Sequence, residues 1–208
     1  MSAARRVPAL GFRRRWLAAG MVLPWLAACG EETAQPFHSV DVTGASFGQG
    51  FSLTDHTGRP RTLADYRGKV VVLFFGFTQC PDACPSALGR RAEVRRRLGS
   101  EGADLQVLFV TLDPERDTRE LLSNYVPAFD PSFVGLYGSA ARIAETAKGY
   151  KVFHAKVKGQ TASSYTIDHS TFLYVHDREG RIRLMAREST TVEQLAADLG
   201  RLLKARAA

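Results

Sequence analysis

The run Val70-Val71-Val72-Leu73-Phe74-Phe75, opened by Gly68-Lys69 and followed shortly by Cys80-Pro81-Asp82-Ala83-Cys84-Pro85, decides how this chain folds. Six consecutive apolar residues, mostly β-branched or aromatic, have no polar face. The strand they form must be covered on both sides, as in the middle of a sheet. A helix is expected next, from about Pro85 to Leu98. A second buried strand follows, Leu105-Gln106-Val107-Leu108-Phe109-Val110-Thr111-Leu112, and then a helix near Thr118 to Val126. The order β, α, β, α is that of parallel strands joined by crossover helices.

Outward from this centre, Phe47 to Asp55 alternates and meets the turn residues His56-Thr57-Gly58-Arg59-Pro60, which reads as a hairpin leading into Thr62-Leu63. Downstream, Phe133–Tyr137 is a short strand, Ser139 caps a helix to Lys148, and Tyr150 to Lys158 reads as a strand or an extended loop. Thr171 to His176, the turn Asp177-Arg178-Glu179-Gly180, and Arg181 to Ala186 make an antiparallel hairpin. Val192, Leu195, Ala196, Leu199, Leu202 and Leu203 fall at spacings of three and four, the stripe of a closing helix. Parallel units ended by a hairpin and a helix give an α/β fold with a central mixed sheet flanked by helices, the thioredoxin-like order.

The chain has 208 residues and a formal charge of +7. Five arginines, Arg5, Arg6, Arg13, Arg14 and Arg15, lie in the first 28 residues without one acid; the rest carries 23 basic against 21 acidic residues. The basic excess is an address label, and nucleic-acid binding loses its support. After the arginines comes the apolar run Trp16 to Ala28, too short to span a bilayer and of the right length for the core of a secretory signal. It ends Leu26-Ala27-Ala28-Cys29, which resembles the cleavage box of bacterial lipoproteins. Residues 1–28 are therefore expected to be a lipoprotein-type signal, Cys29 the lipidated first residue of an exported chain, residues 29–45 a polar tether, and residues 46–208 the working domain. The expected location is the periplasmic side of a bacterial membrane, held there by the lipid.

Cys80 and Cys84 follow the central strand where the chain leaves the sheet and enters a helix, the place where reactive groups of α/β sheets collect. A spacing of four covers about one helical turn, so with a helix starting near Pro81 both sulfurs can face one way. A helix N-terminus favours thiolates, so both thiol pKa values are expected below the free value. A disulfide here would close too short a loop to stabilise much, which leaves metal binding and redox exchange. Structural zinc calls for four ligands. Copper(I) is soft and content with two thiolates and an imidazole. Of the five histidines, His169, beside Asp168 and Ser170 at the entrance to the C-terminal hairpin, ranks first. His38 falls in the tether, His56 in a turn, and His154 and His176 on a surface or strand.

Phe74-Phe75-Gly76-Phe77-Thr78, Cys80-Pro81-Asp82-Ala83-Cys84-Pro85, Val110-Thr111-Leu112-Asp113-Pro114-Glu115-Arg116-Asp117-Thr118 and Asp168-His169-Ser170, in this order, resemble the Sco/SenC family of copper-binding, thioredoxin-like proteins. The resemblance covers about residues 45 to 205. It implies copper, as Cu(I) or Cu(II), held by Cys80, Cys84 and His169. It also implies cytochrome c oxidase subunit II as partner, through delivery of copper to its CuA centre. Other periplasmic copper carriers or thiol reductants could also meet the same site. The alternative is a thiol-disulfide reductase in which Cys80 and Cys84 are the redox-active pair, acting on that subunit's cysteines or on other exported proteins. Three residues separate the cysteines where thioredoxin-like reductases have two, and no proline precedes Thr171. Both departures favour metal holding over rapid exchange, so a carrier is expected rather than an enzyme. A peroxidase reading lacks an activating arginine and ranks last.

Plain readings cover the remainder. The arginines at 90, 91, 95, 96 and 97 read as a solvated helix face, and Asp113 and Asp117 as turn and cap residues. Asp168 either orients His169 or satisfies backbone donors.

Overall fold

The computed structural model describes residues 36–159, 161 and 164–205. The expected signal segment and Cys29 lie outside them. Along the chain the elements are β1 (Val40–Asp41), β2 (Ser52–Asp55), β3 (Pro60–Thr62), β4 (Val70–Gly76), α1 (Ala83–Arg97), β5 (Leu105–Thr111), α2 (Arg119–Tyr125), β6 (Val134–Tyr137), α3 (Ala140–Gly149), β7 (His154–Lys158), β8 (Tyr165–His169), β9 (Leu173–His176), β10 (Ile182–Ala186) and α4 (Val192–Lys204). Eight strands form one sheet in the order β1-β10-β9-β4-β5-β6-β2-β3, and β7 pairs with β8 in a separate ribbon. β4, β5 and β6 run parallel, with Val70 opposite Leu105 and Gly76 opposite Thr111, while β9 runs antiparallel to β4. The architecture is the mixed, helix-flanked thioredoxin-like sheet.

All seven residues of β4 are buried, as a strand without a polar face requires. Successive side chains leave opposite faces. Val70, Val72 and Phe74 accordingly meet Ala87, Leu88 and Val94 of α1 and Leu195, Leu199 and Leu202 of α4. Val71, Leu73 and Phe75 enter a second core with Ile143 and Ala147 of α3. Each fully buried leucine or valine contributes about 1.5–3 kcal/mol. α2, α3 and α4 start at side-chain caps: Thr118 Oγ1 accepts the Leu121 N–H, Ser139 Oγ the Arg142 N–H, and Thr191 Oγ1 the Gln194 N–H. The hairpins β2–β3 and β9–β10 form where the turn residues place them.

The folded unit begins at Pro36, ahead of the expected boundary at residue 46. The buried carboxylate of Asp198 on α4 accepts the His38 and Ser39 N–H groups at 2.9 and 2.8 Å, the Arg201 guanidinium lies 4.1 Å from the centre of the Phe37 ring, and β1 pairs with β10. A single aspartate on the last helix thus turns part of the supposed tether into structure. The arginine-rich face also needs correction. Arg91 is 4% exposed, stacked 5.6 Å over Phe74 and donating to the Ala87 carbonyl, and burial brings its pKa down to about 9.

His176, placed on a surface or strand by its sequence, is a fully buried strand residue. Its Nε2–H points at the Gly48 carbonyl at 3.0 Å, with Tyr150 Oη at 3.2 Å. Burial lowers its pKa below the ordinary 6.5. The folded state therefore binds a proton less readily than the unfolded chain. The resulting stability is present above about pH 6.5 and is lost as pH falls below it, by at most about 1.4 kcal/mol per pH unit. Urea midpoints at pH 7.5 and 5.5 should differ less in His176→Phe than in the wild type; an unchanged difference would assign the acid sensitivity to other groups.

Candidate functional site

The site is built at the C-terminal end of β4. Gly76 closes the strand, Phe77 to Pro81 form a loop, and α1 starts at Ala83, two residues earlier than its sequence suggests, with Asp82 as its cap position. Pro81 stands outside the helix and Pro85 falls in its first turn, where a missing N–H leaves nothing unpaired. Cys84 is then the second helical residue and Cys80 precedes the helix. The Cys84 N–H, one of the amides that a first turn leaves free, donates to Cys80 Sγ at 3.4 Å. Both cysteines are free thiols.

The two sulfurs differ in setting. Cys80 is half-buried and Cys84 is 3% exposed. The expectation that both thiol pKa values fall is reversed for Cys84. Burial pushes its thiol well up, and the Cys80 and Asp117 side chains nearby add to the rise; only a backbone hydrogen bond at Phe77 opposes it. At the second helical position the sulfur faces the sheet instead of the helix axis, so desolvation outweighs the dipole.

His169 is the last residue of β8, not the entrance to β9, which starts at Leu173. Its ring stands edge-on to Phe77, centroids 6.0 Å apart. Its Nδ1 lies 2.9 Å from the Ser170 carbonyl oxygen. A carbonyl only accepts, so Nδ1 carries a proton, and in the neutral ring Nε2 is the nitrogen with the lone pair. Asp168 is exposed and takes no part in this bond, so the orienting acceptor is a backbone carbonyl. Cys84 and His169 line one narrow cavity with Phe74, Thr171, Leu173 and Glu188, of about 20 Å³, room for about one water-sized guest. Among the described residues, no three His, Cys, Asp or Glu side chains stand close enough to hold a metal ion as they are. The two cysteines are joined by the Cys84 N–H donating to Cys80 Sγ, and the imidazole shares a cavity wall with Cys84.

Residues 40–204 match the SCO1/SenC family. The chain belongs to that family. It is 38% identical over 192 residues to the mitochondrial SCO2 homolog of Bos taurus, covering 90% of this chain and 72% of that one. The copper-bound structure of Bradyrhizobium japonicum ScoI superposes with a TM-score of 0.69 at 39% identity, over 75% of this chain and 99% of that one. The apo Sco1 of Thermus thermophilus superposes with a TM-score of 0.72 at 34% identity, over 82% and 99%.

In this SCO1/SenC chain the other histidines are placed elsewhere. His56 Nδ1 accepts the Gly135 N–H at 3.0 Å and fastens the β2–β3 turn to β6. His38 contributes its backbone to Asp198. His154 is the cross-strand partner of His169 but lines a groove with Leu112, Pro114 and Ile143.

The plain reading of Asp113 and Asp117 missed their burial. Asp117, 1% exposed, accepts the Thr78 N–H at 3.0 Å and the Thr78 and Thr111 hydroxyls at 2.6 Å each, which ties the thiol loop to the end of β5. Burial raises its pKa against those bonds. Asp113 is fully buried, pairs with Arg116 and accepts the Tyr165 hydroxyl at 2.8 Å. The available signal was the pair of carboxylates four apart, directly after the largely apolar run Leu105 to Leu112.

Proposed function

We propose that this protein is a copper carrier that takes one copper ion on Cys80 Sγ, Cys84 Sγ and His169 Nε2 and passes it to the CuA centre of cytochrome c oxidase subunit II. The observation that carries the reading is that two free cysteines, joined by the Cys84 N–H donating to Cys80 Sγ, share a site with an imidazole: His169 lines the same narrow cavity as Cys84, and its Nδ1 is committed to the Ser170 carbonyl, which leaves Nε2 as the nitrogen available to a metal. Two thiolates and one neutral imidazole suit Cu(I). Closing the set requires a movement of the His169 ring or its ribbon, and the Cys84 proton leaves as the metal enters. The copper-bound relative with 39% identity supports the same cargo. Cys29 as a lipid anchor would hold the carrier on the periplasmic side of the membrane, where an oxidase subunit is assembled, and a diacyl group supplies the two chains that stable attachment needs.

The asymmetry of the thiols favours a second reading, reduction of a client disulfide. The more accessible Cys80 sulfur would attack a client sulfur, releasing the other as thiolate. Cys84 would then displace the client, leaving a Cys80–Cys84 disulfide and two electrons on the client. Competition for Cu(I) against a chelator of known affinity separates the two. A carrier binds one copper per chain, loses it in Cys80→Ser/Cys84→Ser, and is weakened about 10–100-fold or more in His169→Ala. A wild type that reduces a client disulfide but holds no copper, with His169→Ala equally active, would leave the reductase.

A further inference from the structure

The β7–β8 ribbon carries His169 yet forms its own two-stranded sheet, so no strand ladder sets the imidazole over the thiols. Along β8, Tyr165, Ile167 and His169 share one face and are buried or half-buried, while Thr166 and Asp168 are exposed. A slip of one residue would present Asp168 in place of His169. What fixes Tyr165 therefore fixes His169.

Arg116 stands at that point. Its guanidinium carbon lies 3.6 Å from the centre of the Tyr165 ring and 6.0 Å from that of Phe77, the ring that also carries His169. Its Nη1 donates to the Tyr165 carbonyl at 3.0 Å and to Gln79 Oε1, next to Cys80, at 3.1 Å. Its Nε pairs with the fully buried Asp113, which also accepts the Tyr165 hydroxyl. One guanidinium thus spans the thiol loop, the end of β5 and the ribbon. A planar, always-charged fork is suited to stacking and to donating in several directions at once, which an ammonium is not.

We propose that Arg116, clasping Tyr165 and Asp113, is the positioning residue that holds the His169 ribbon against the Cys80 loop and so sets copper affinity through the imidazole. The inference rests on the copper-carrier reading, and its test has one arm that does not.

In the full chain, Cu(I) competition is measured for the wild type, Arg116→Ala, Arg116→Lys, His169→Ala and the Arg116→Ala/His169→Ala double variant. Amide exchange is followed without copper over residues 165–169 and 105–111. Arg116→Ala should lose about 10–100-fold in affinity. The double variant should be no weaker than His169→Ala, because a clasp that acts through the imidazole has nothing left to position. Arg116→Lys should not restore binding. Exchange at residues 165–169 should become about tenfold faster while residues 105–111 keep their protection. Wild-type affinity in Arg116→Ala, losses that add in the double variant, rescue by lysine, or unchanged exchange in the ribbon would each overturn the proposal. Should the wild type bind no copper, the carrier reading fails and the exchange arm still decides the clasp. Should Arg116→Ala not fold, leaving Asp113 buried and unpaired, Tyr165→Leu keeps the Arg116–Asp113 pair and must show the same losses; wild-type behaviour there overturns the proposal.

Discussion

Phe109→Ala should cost about 3–5 kcal/mol of folding free energy, the largest stability loss expected from one substitution near the site. Phe109 is fully buried in the middle of β5, edge-on to Phe74 at 5.3 Å and tilted against Tyr125 at 6.2 Å. Its walls are β4 and the helices packed on it, and β4 is held on both sides by hydrogen-bonded neighbours. Such walls collapse little, so the space left behind stays open and the transfer and cavity penalties add. The void would lie beside Cys84, whose sulfur shares with the Phe109 ring the space over Gly76. Urea denaturation at constant pH measures the cost, and a thiol reagent should reach Cys84 faster in the variant. A loss below about 1 kcal/mol would mean that the core repacks, contrary to this account. Phe109→Leu keeps most of the volume and should cost less than half as much.

The largest effect on the thiols from a single methyl group is expected at Gly76. A Cβ placed there would lie 2.7 Å from Cys84 Sγ and 2.8 Å from a ring carbon of Phe109, both well inside van der Waals contact. The backbone of Gly76 is ordinary strand, so the requirement for glycine is one of space and not of conformation. Gly76→Ala must move the sulfur, the ring or the strand, at about 1–3 kcal/mol. Movement of the sulfur disturbs its placement in the cavity it shares with His169, so copper affinity should fall along with the urea midpoint. Combining Gly76→Ala with Phe109→Leu, which vacates part of the contested space, should cost less than the sum of the two single changes. Additive losses, or an alanine variant with wild-type stability and copper binding, would show that the apparent crowding is relieved at no cost.

The central strands, the crossover helices, the two hairpins and the closing helix were legible because each is specified by its own residues. A run such as Val70 to Phe75 can only be buried on both faces, Ser139 marks a helix start, and the leucines from 195 to 203 form one stripe. The β8 strand was not legible. Tyr165 to His169 holds five residues with an aspartate among them, and its inward face is apparent only once Arg116 and Phe77 are in place beside it. The burial of Arg91 was hidden for a similar reason. Its helix has arginines on several sides, and which of them turns inward depends on how α1 seats against Phe74.

For the proposed site, the residue types and their order in the chain pointed to Cys80 and Cys84 and ranked His169 first among five histidines, and the resemblance to the Sco/SenC family supplied the three as a ligand set. Their surroundings belong to the tertiary structure alone. The rise in the Cys84 pKa follows from burial against the sheet, the proton on His169 Nδ1 from the Ser170 carbonyl, and the hold on the loop from Asp117. Local sequence determines which chemical groups exist and which segments become strand or helix. Solvation and long-range hydrogen bonding, the forces that tune those groups, depend on neighbours that only the folded chain brings within reach.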